Sequence, residues 1–287
     1  MSNIENETQK IMKKYNIKAD KSLGQNFLID DNAVEKIVEA SNITKEDLVI
    51  EIGPGLGTLT ERLLHKAGKV ICVEIDTRMI KILNDRFGAL NNFQIINEDI
   101  LKVDLNNVIQ KEKNDNIKNA KVVANLPYYI TTPIVMKLLE ENLELESITV
   151  MVQKEVAKRL SAIPGEKDTG AITYGVYYYA EAEEIIEVPR TSFIPEPEVT
   201  SEVIKLNIRK EKAIQIKNID LMFKIIKIAF SQRRKTLLNA LMNNNIINTK
   251  EEGKKLLERL NLKENVRGEE LSIEQYAQLS EFINIKL

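Results

Sequence analysis

The feature that most constrains the fold is a regular alternation of short apolar runs and helical patterns between Ala33 and about Arg209. The apolar runs are Leu48–Ile52, Val70–Ile75, Phe93–Ile96, Val122–Ala124, Ile148–Val152, Ile185–Val188 and Val203–Ile208. Strands that alternate with helices form parallel sheets with helices on both faces. The last two runs are joined by a loop rather than by a helix, which predicts an antiparallel edge. We therefore predict an α/β fold with a doubly wound sheet.

Beyond about Lys210 the apolar residues follow helical spacing. They recur at Leu221, Ile225 and Ile228, at Leu237, Leu238 and Leu241, and at Leu256, Leu257 and Leu260. Such spacing is typical of amphipathic helices. We therefore predict two domains, an α/β domain over residues 1–210 that carries a basic N-terminal segment, and a small all-helical domain over residues 211–287.

Capping residues mark the start of two helices. Thr132 followed by Pro133 predicts a helix that has threonine as its N-cap and proline at its first position. Ser272 followed three residues later by Gln275 is typical of a capping box and predicts a last helix after Ser272.

One cysteine and one histidine limit the chemistry that the chain can perform. Cys72 lies in an apolar run and is expected in the core, where no intrachain disulfide is possible. Zinc sites built from Cys and His are excluded, and a nucleophilic triad would have to use His65, which we expect late in a helix over Thr58–Lys66. No metal is predicted. No apolar run is long enough to span a bilayer and residues 1–10 are polar, so we expect a cytoplasmic protein without a membrane partner.

Basic residues are unevenly distributed in a chain whose net charge is only −2. Lysine and arginine outnumber aspartate and glutamate by 14 to 10 in residues 211–287. One basic cluster is formed by Lys10, Lys13, Lys14, Lys18 and Lys21, and a second by Arg233, Arg234 and Lys235. A charge run of this kind is either a solvated face or a contact to nucleic-acid phosphates.

The segment Asn125-Leu126-Pro127-Tyr128 follows an apolar strand and can present two acceptors to an amine. The Asn125 side-chain oxygen and the Leu126 carbonyl would accept both N–H groups of a nucleobase amine, which localises the nitrogen lone pair. Pro127 biases Leu126 toward an extended backbone, and Tyr128 offers a ring on which a base can stack. The alternative is a strand end followed by an ordinary proline turn.

Acidic residues and glycines follow the first three strands in the order expected of a nucleoside pocket. Glycines within Glu51–Gly57, at Gly53 and Gly55, allow the backbone to approach a ligand closely, and their spacing differs from the dinucleotide fingerprint. Glu74 ends the second strand and can accept both ribose hydroxyls, while Asp99 follows the third strand and can accept from an adenine amine. No lysine stands ready for a polyphosphate, so S-adenosylmethionine fits this pattern.

Seven blocks in chain order resemble the small-subunit ribosomal RNA adenine N6,N6-dimethyltransferases, the KsgA/RsmA family. The blocks are Lys21–Leu28, Glu51–Gly57, Glu74–Asp76, Asn97–Asp99, Asn125–Thr131, Pro189–Pro197 and Phe230–Leu237. The resemblance implies a seven-stranded Rossmann-like methyltransferase sheet, a helical C-terminal domain that binds RNA or the ribosome, and S-adenosylmethionine as the methyl donor. It implies as substrate two adjacent adenosines in the 3′-terminal hairpin loop of 16S rRNA, in the 30S subunit or its precursor. No obligate protein partner is predicted.

The resemblance also assigns roles by position. Donor binding is implied for Asn26, Leu28, Gly53, Gly55, Glu74, Asp99 and Asn125. Asn125, Leu126, Pro127 and Tyr128 match the motif that receives the adenine amine, and Phe193 matches the aromatic residue on the opposite side of the base. Arg233, Arg234 and Lys235 are expected to contact RNA. The chain departs from the family in Asp168-Thr169-Gly170, where an aromatic residue usually precedes the glycine.

The expected chemistry is direct in-line methyl transfer to adenine N6, without a covalent enzyme intermediate. The nearest alternative is the related 23S rRNA adenine methyltransferase that confers macrolide resistance. It shares the pocket and the Asn-x-Pro-aromatic block, whereas Lys21–Leu28 and Gln232–Leu237 favour the small-subunit enzyme. A second alternative is a ribosome-assembly factor that binds RNA without catalysis. The glycine spacing disfavours a dehydrogenase.

Overall fold

A computed structural model of the protein describes residues 3–232 and 234–284. The chain forms two compact units that alternate along the sequence. The first unit contains the chain up to Ala157 together with Glu181–Ile208, and the second contains Lys158–Ala180 and the chain from Arg209 onward. The predicted division into a methyltransferase domain over residues 1–210 and an RNA- or ribosome-binding domain over residues 211–287 stays a prediction.

The chain up to Ile208 contains nine strands and eight α-helices within the described residues. The strands are β1 Phe27–Leu28, β2 Asp47–Ile52, β3 Lys69–Glu74, β4 Phe93–Asn97, β5 Asn119–Asn125, β6 Ser147–Gln153, β7 Ala180–Val188, β8 Phe193–Ile194 and β9 Ser201–Ile208. The helices are α1 Asn3–Lys14, α2 Asp31–Ala40, α3 Thr58–Lys66, α4 Thr77–Phe87, α5 Leu105–Glu112, α6 Thr131–Glu140, α7 Lys154–Ser161 and α8 Ala171–Tyr179.

Seven of these strands form one sheet in the order β4-β3-β2-β5-β6-β9-β7. The five strands from β4 to β6 are mutually parallel, and β9 runs antiparallel to β6. The predicted seven-stranded Rossmann-like fold with an antiparallel edge is confirmed. Helices cover both faces of the central strands, and every residue of β2 is buried, including Asp47 and Glu51. None of the described helices is both long and apolar enough to cross a bilayer.

The N-terminal segment packs on the sheet domain before the first long strand begins. Ile17 and Phe27 join a small apolar cluster with Met79 and Ile82 of α4. Strand β1 then pairs antiparallel with β8, with Leu28 opposite Phe193. Burial of these side chains fixes the segment against the domain, which matters because residues 23–28 border the main cavity.

The C-terminal helices are α9 Ile219–Ser231, α10 Leu237–Asn243, α11 Lys250–Arg259 and α12 Ile273–Asn284. The predicted capping box at α12 is confirmed, since the Ser272 amide donates to Gln275 Oε1 at 2.9 Å and the Gln275 amide donates to Ser272 Oγ at 3.3 Å. In the same unit the buried hydroxyls of Tyr174 and Tyr276 both donate to the Gly268 carbonyl.

The predicted start of α6 is wrong. The helix begins at Thr131, with Thr132 and Pro133 inside its first turn, because a 3₁₀ turn over Tyr128–Ile130 leads directly into it. The Thr131 hydroxyl donates to the Pro127 carbonyl at 3.1 Å and joins the turn to the helix.

Candidate active site

A cavity of about 360 Å³ lies at the carboxyl ends of the parallel strands. Its walls come from the N-terminal segment, the loop after β2, the ends of β3 and β4, and the turn after β5. Every residue assigned to donor binding from the sequence borders it, namely Asn26, Leu28, Gly53, Gly55, Glu74, Asp99 and Asn125. The size falls within the range of small-molecule sites.

The loop after β2 is shaped by glycines in the left-handed region. Gly53 has φ +65° and Gly55 has φ +56°, backbone angles that residues with a Cβ rarely adopt. A Cβ at Gly53 would meet no atom closer than 4.0 Å, so this backbone is open toward the cavity. A ligand can therefore approach the main chain at this point.

Glu74 is a buried carboxylate at the end of β3. It is 6% exposed, and burial raises the pKa of its side chain. The Asp76 amide donates to Oε1 at 2.8 Å and the Gly55 amide donates to Oε2 at 3.3 Å. The Ile75 backbone amide also interacts with this carboxylate, which borders the cavity and can accept a hydroxyl donor from a ligand there.

Two further acids border the same cavity. Asp99 is half-buried after β4, and its Oδ1 accepts from the Leu101 amide at 3.0 Å. Glu51 is fully buried on β2, where desolvation raises the pKa of its carboxyl to about 7. The Cys72 thiol donates to Glu51 Oε2 at 3.5 Å, which confirms Cys72 as a buried core residue.

The Asn125 carboxamide nitrogen is hydrogen-bonded, whereas its oxygen is available to a ligand. Its Nδ2 donates to the Asn26 carbonyl at 3.3 Å, and the Leu126 amide donates to the Met151 carbonyl at 3.1 Å. No donor in the described part of the chain bonds to Asn125 Oδ1 or to the Leu126 carbonyl. The two predicted acceptors are therefore both available next to the cavity.

Tyr128 is held in place by its hydroxyl. Its Oη lies 2.6 Å from Ser201 Oγ at the start of β9. Burial raises the pKa of the Tyr128 phenol, so the hydroxyl stays neutral. A half-buried ring with an anchored hydroxyl has little freedom, and it borders the cavity beside Asn125.

Some predicted site residues lie elsewhere. Phe193 is 2% exposed, packs in the core of the first unit and does not border the cavity, so its role beside a base stays a prediction. Arg234 and Lys235 are exposed between α9 and α10, and Arg233 lies outside the described residues. Thr169, at the departure from the family pattern, is buried and donates to the carbonyls of Ile163 and Glu166.

Two residues that border the cavity, Gln25 and Tyr129, and the Asp76 partner of Gln25 were missed in the sequence. Gln25 donates to the Asp76 carboxylate, and Tyr129 borders the cavity with most of its surface exposed. Gln25 adjoins Asn26 and Asp76 adjoins the strand that ends at Glu74, so their positions beside assigned residues were the available signal. Among the described residues no group of three or more His, Cys, Asp or Glu side chains could hold a metal ion.

Comparison with known proteins gives consistent matches over nearly the whole chain. A family model described as ribosomal RNA adenine dimethylase matches residues 16–285. The chain is 49% identical over 282 residues to Ribosomal RNA small subunit methyltransferase A of Clostridioides difficile (strain 630), which covers 98% of this chain and 96% of that protein. It is 48% identical over 275 residues to the protein of the same name from Bacillus pumilus (strain SAFR-032), with coverages of 95% and 94%.

Two solved structures resemble the fold. A dimethyladenosine transferase from Plasmodium falciparum is 28% identical with a TM-score of 0.71, over 91% of this chain and 98% of that chain. The 23S rRNA methyltransferase ErmE is 24% identical with a TM-score of 0.65, over 90% and 100%. At that identity ErmE is evidence for the fold alone.

Proposed function

The chain belongs to the ribosomal RNA adenine dimethylase family, and on that premise we propose that it transfers methyl groups from S-adenosylmethionine to N6 of two adjacent adenosines in the 3′-terminal hairpin loop of 16S rRNA. The observation that carries the proposal is the pair of unbonded acceptors, Asn125 Oδ1 and the Leu126 carbonyl, beside a cavity of nucleoside size. Neither a dehydrogenase nor a simple RNA-binding surface requires that pair.

The cavity suits an adenosine-containing donor. Glu74 would accept from the ribose hydroxyls and Asp99 from the adenine amine, while Gly53 and Gly55 bring main chain close to the ligand. Asn26 and Leu28 would cover the donor from the N-terminal segment. When bound, the donor supplies a methyl group activated by a sulfonium.

The acceptor motif would act on the target amine. Asn125 Oδ1 and the Leu126 carbonyl would each accept one N–H of adenine N6, which turns the nitrogen lone pair toward the methyl group. The new N–C bond forms as the methyl–sulfur bond breaks, and the two oxygens stabilise the positive charge that grows on N6. The proton lost from N6 passes to water, so no histidine base is needed. A second transfer to the same nitrogen completes dimethylation.

RNA contact is proposed for the basic cluster Arg233, Arg234 and Lys235 and for the N-terminal lysines. Arg234, Lys235 and Lys10, Lys13, Lys14 and Lys18 are exposed, as phosphate contacts require. The flipped adenine would stack on Tyr128, with Phe193 proposed for the other face. The substrate particle would be the 30S subunit or its precursor in the cytoplasm, and no obligate protein partner is proposed.

The function is tested by incubating the protein with methyl-labelled S-adenosylmethionine and either immature 30S or 50S particles. We expect label at N6 of two adjacent adenosines in 16S rRNA. Label in 23S rRNA alone would favour the macrolide-resistance activity, and tight binding of 30S particles without label would favour a non-catalytic assembly factor. The variant Asn125→Ala, purified and assayed in parallel, controls for contaminating methyltransferases.

A further inference from the structure

We propose that Tyr129 is a stacking platform for the base that neighbours the target adenosine in unpaired RNA. The inference rests on the proposed function and deepens it, because it identifies a residue that reads the second nucleotide of the substrate. Tyr128 is assigned to the flipped adenine, whereas the ring of Tyr129 has no role in donor binding or in transfer.

Tyr129 is exposed at one particular place. Tyr129 is 63% exposed and borders the cavity mouth, next to the acceptor motif. Single exposed apolar residues are normal on protein surfaces. An exposed aromatic ring beside the opening through which a nucleobase would enter differs from that background, since unpaired RNA is recognised largely by stacking on such rings.

The backbone that carries the Tyr129 ring is hydrogen-bonded. Tyr129 is the middle residue of the 3₁₀ turn Tyr128–Ile130, where the Ile130 amide donates to the Pro127 carbonyl at 3.2 Å. On one side the ring meets Gly24, because a Cβ built there would lie 3.2 Å from Tyr129 Cδ1. The ring thus lies close to the N-terminal segment on one side, while most of the residue is exposed. A preorganised ring loses little entropy when a base stacks on it.

A flipped adenosine leaves its neighbour in the RNA without a stacking partner. A base taken out of its stack removes a stacking partner from the adjacent base. In a substrate with two adjacent adenosines, that adjacent base is also a purine, with a large π surface. Tyr129 would replace the lost partner just outside the cavity, which would favour a purine beside the target.

The test is a cycle of two changes, one in the protein and one in the RNA. Tyr129→Ala and Tyr129→Phe are compared with Leu90→Ala, which truncates another exposed apolar side chain, 45% exposed, away from the cavity. Each protein is assayed on immature 30S particles whose 16S rRNA carries either adenosine or uridine beside the target. Affinity for S-adenosylhomocysteine, measured by calorimetry, reports whether the cavity is intact.

We expect Tyr129→Ala to raise KM for the particle about tenfold, as loss of one base-stacking ring does, and Tyr129→Phe to change it less than twofold. The uridine substitution should cost the wild type more than it costs Tyr129→Ala, since both changes remove the same contact. The inference would be overturned if Tyr129→Ala behaved like Leu90→Ala, or if the effects of the protein and RNA changes on KM were strictly additive. It would also be overturned if Tyr129→Ala lost S-adenosylhomocysteine affinity to the same extent. Wild type that fails to methylate 30S particles would overturn the proposed function instead.

Discussion

The Gln25 side chain joins the N-terminal segment to the strand end that carries Glu74, because its Nε2 donates to Asp76 Oδ2 at 2.8 Å. Gln25 Oε1 accepts from the Asp20 amide at 2.9 Å. Arg78 also donates to Asp76 and lies 3.7 Å from Asp20. Burial opposes ionisation of Asp76, but the hydrogen bonds from Arg78 and Gln25 outweigh it and lower the pKa of that carboxyl. The N-terminal segment beside the cavity is therefore held to the end of β3 by hydrogen bonds and ion pairs to Asp76 and Arg78.

Removing the Gln25–Asp76 hydrogen bond should weaken donor binding. Gln25→Ala loses the bond to Asp76, and a hydrogen bond to a charged group contributes about 1.5–3 kcal/mol, so KM for S-adenosylmethionine should rise about ten- to a hundredfold with a smaller change in kcat. Steady-state kinetics at saturating 30S particles measure both constants. The matched control is Gln9→Ala on α1, whose side chain bonds only to Glu5 in the described part of the chain. An unchanged donor KM in Gln25→Ala would exclude this hydrogen bond from donor binding.

Asn125 should matter for transfer far more than for donor binding. Asn125→Ala removes an acceptor of the target amine and should lower kcat at least about a hundredfold, as loss of one charge-stabilising group does, while calorimetry finds donor affinity within a few-fold of wild type. Asn125→Asp keeps an oxygen acceptor but loses the donation to the Asn26 carbonyl. It should retain more activity than Asn125→Ala. Near-normal turnover in Asn125→Ala would exclude the carboxamide from the mechanism.

Glu74 should make donor affinity depend on pH. In the proposed role its ionised form would accept from ribose hydroxyls, and burial raises its pKa above the ordinary carboxyl value of 4.5. As pH falls through that raised pKa the carboxyl is protonated, so affinity for S-adenosylmethionine should fall at a pH where ordinary glutamates are still ionised. Glu74→Gln should bind about tenfold or more weakly at neutral pH and lose this pH dependence. Calorimetric titrations of both proteins between pH 5 and 8 measure it, and parallel curves would contradict the assignment.

Glu51 should make the stability of the donor-free protein fall with rising pH. Its pKa is raised from 4.5 to about 7 in the folded state by desolvation, so the folded state binds the proton more tightly than the unfolded state. Relative to Glu51→Gln, wild type should be most stable below about pH 4.5 and lose about 3 kcal/mol of unfolding free energy by the time pH exceeds about 7.

Urea unfolding at several pH values compares these proteins. Glu35→Gln, on the exposed surface of α2, should follow the wild-type curve. If the difference between wild type and Glu51→Gln stays constant between pH 4.5 and 7.5, the buried carboxyl does not titrate as stated.

Much of the fold could be predicted because buried parallel strands appear in the sequence as continuous apolar runs. The limits of β5 show where that signal ends. The apolar run predicts Val122–Ala124, but the strand covers Asn119–Asn125 and includes Lys121, which is buried. Lys121 is accommodated because its ammonium lies 3.0 Å from the buried Asp47 carboxylate. A charged residue interrupts an apolar pattern, and its partner 74 positions away is not marked in the local sequence.

The site shows the same division between local and distant signals. Glu74 and Asp99 follow their strands directly, so the topology of a parallel sheet brings them to one edge. Gln25 and Asp76 are 51 residues apart, and nothing in either neighbourhood indicates that they bond. The same is true of Phe193, whose pairing with Leu28 joins two-residue strands too short to give a periodic pattern.

The pairing of β1 with β8 can form only after both strands have been translated. Ser192 bonds to Asp30 through its side chain at 2.7 Å, and its carbonyl accepts from the Ile29 amide at 2.8 Å. Strand β1 borders the cavity and is translated some 160 residues before its partner β8. A nascent chain arrested before Ser192 has β1 without a partner. We therefore expect the protein, which we propose modifies ribosomes, to bind its methyl donor only after β8 has been translated.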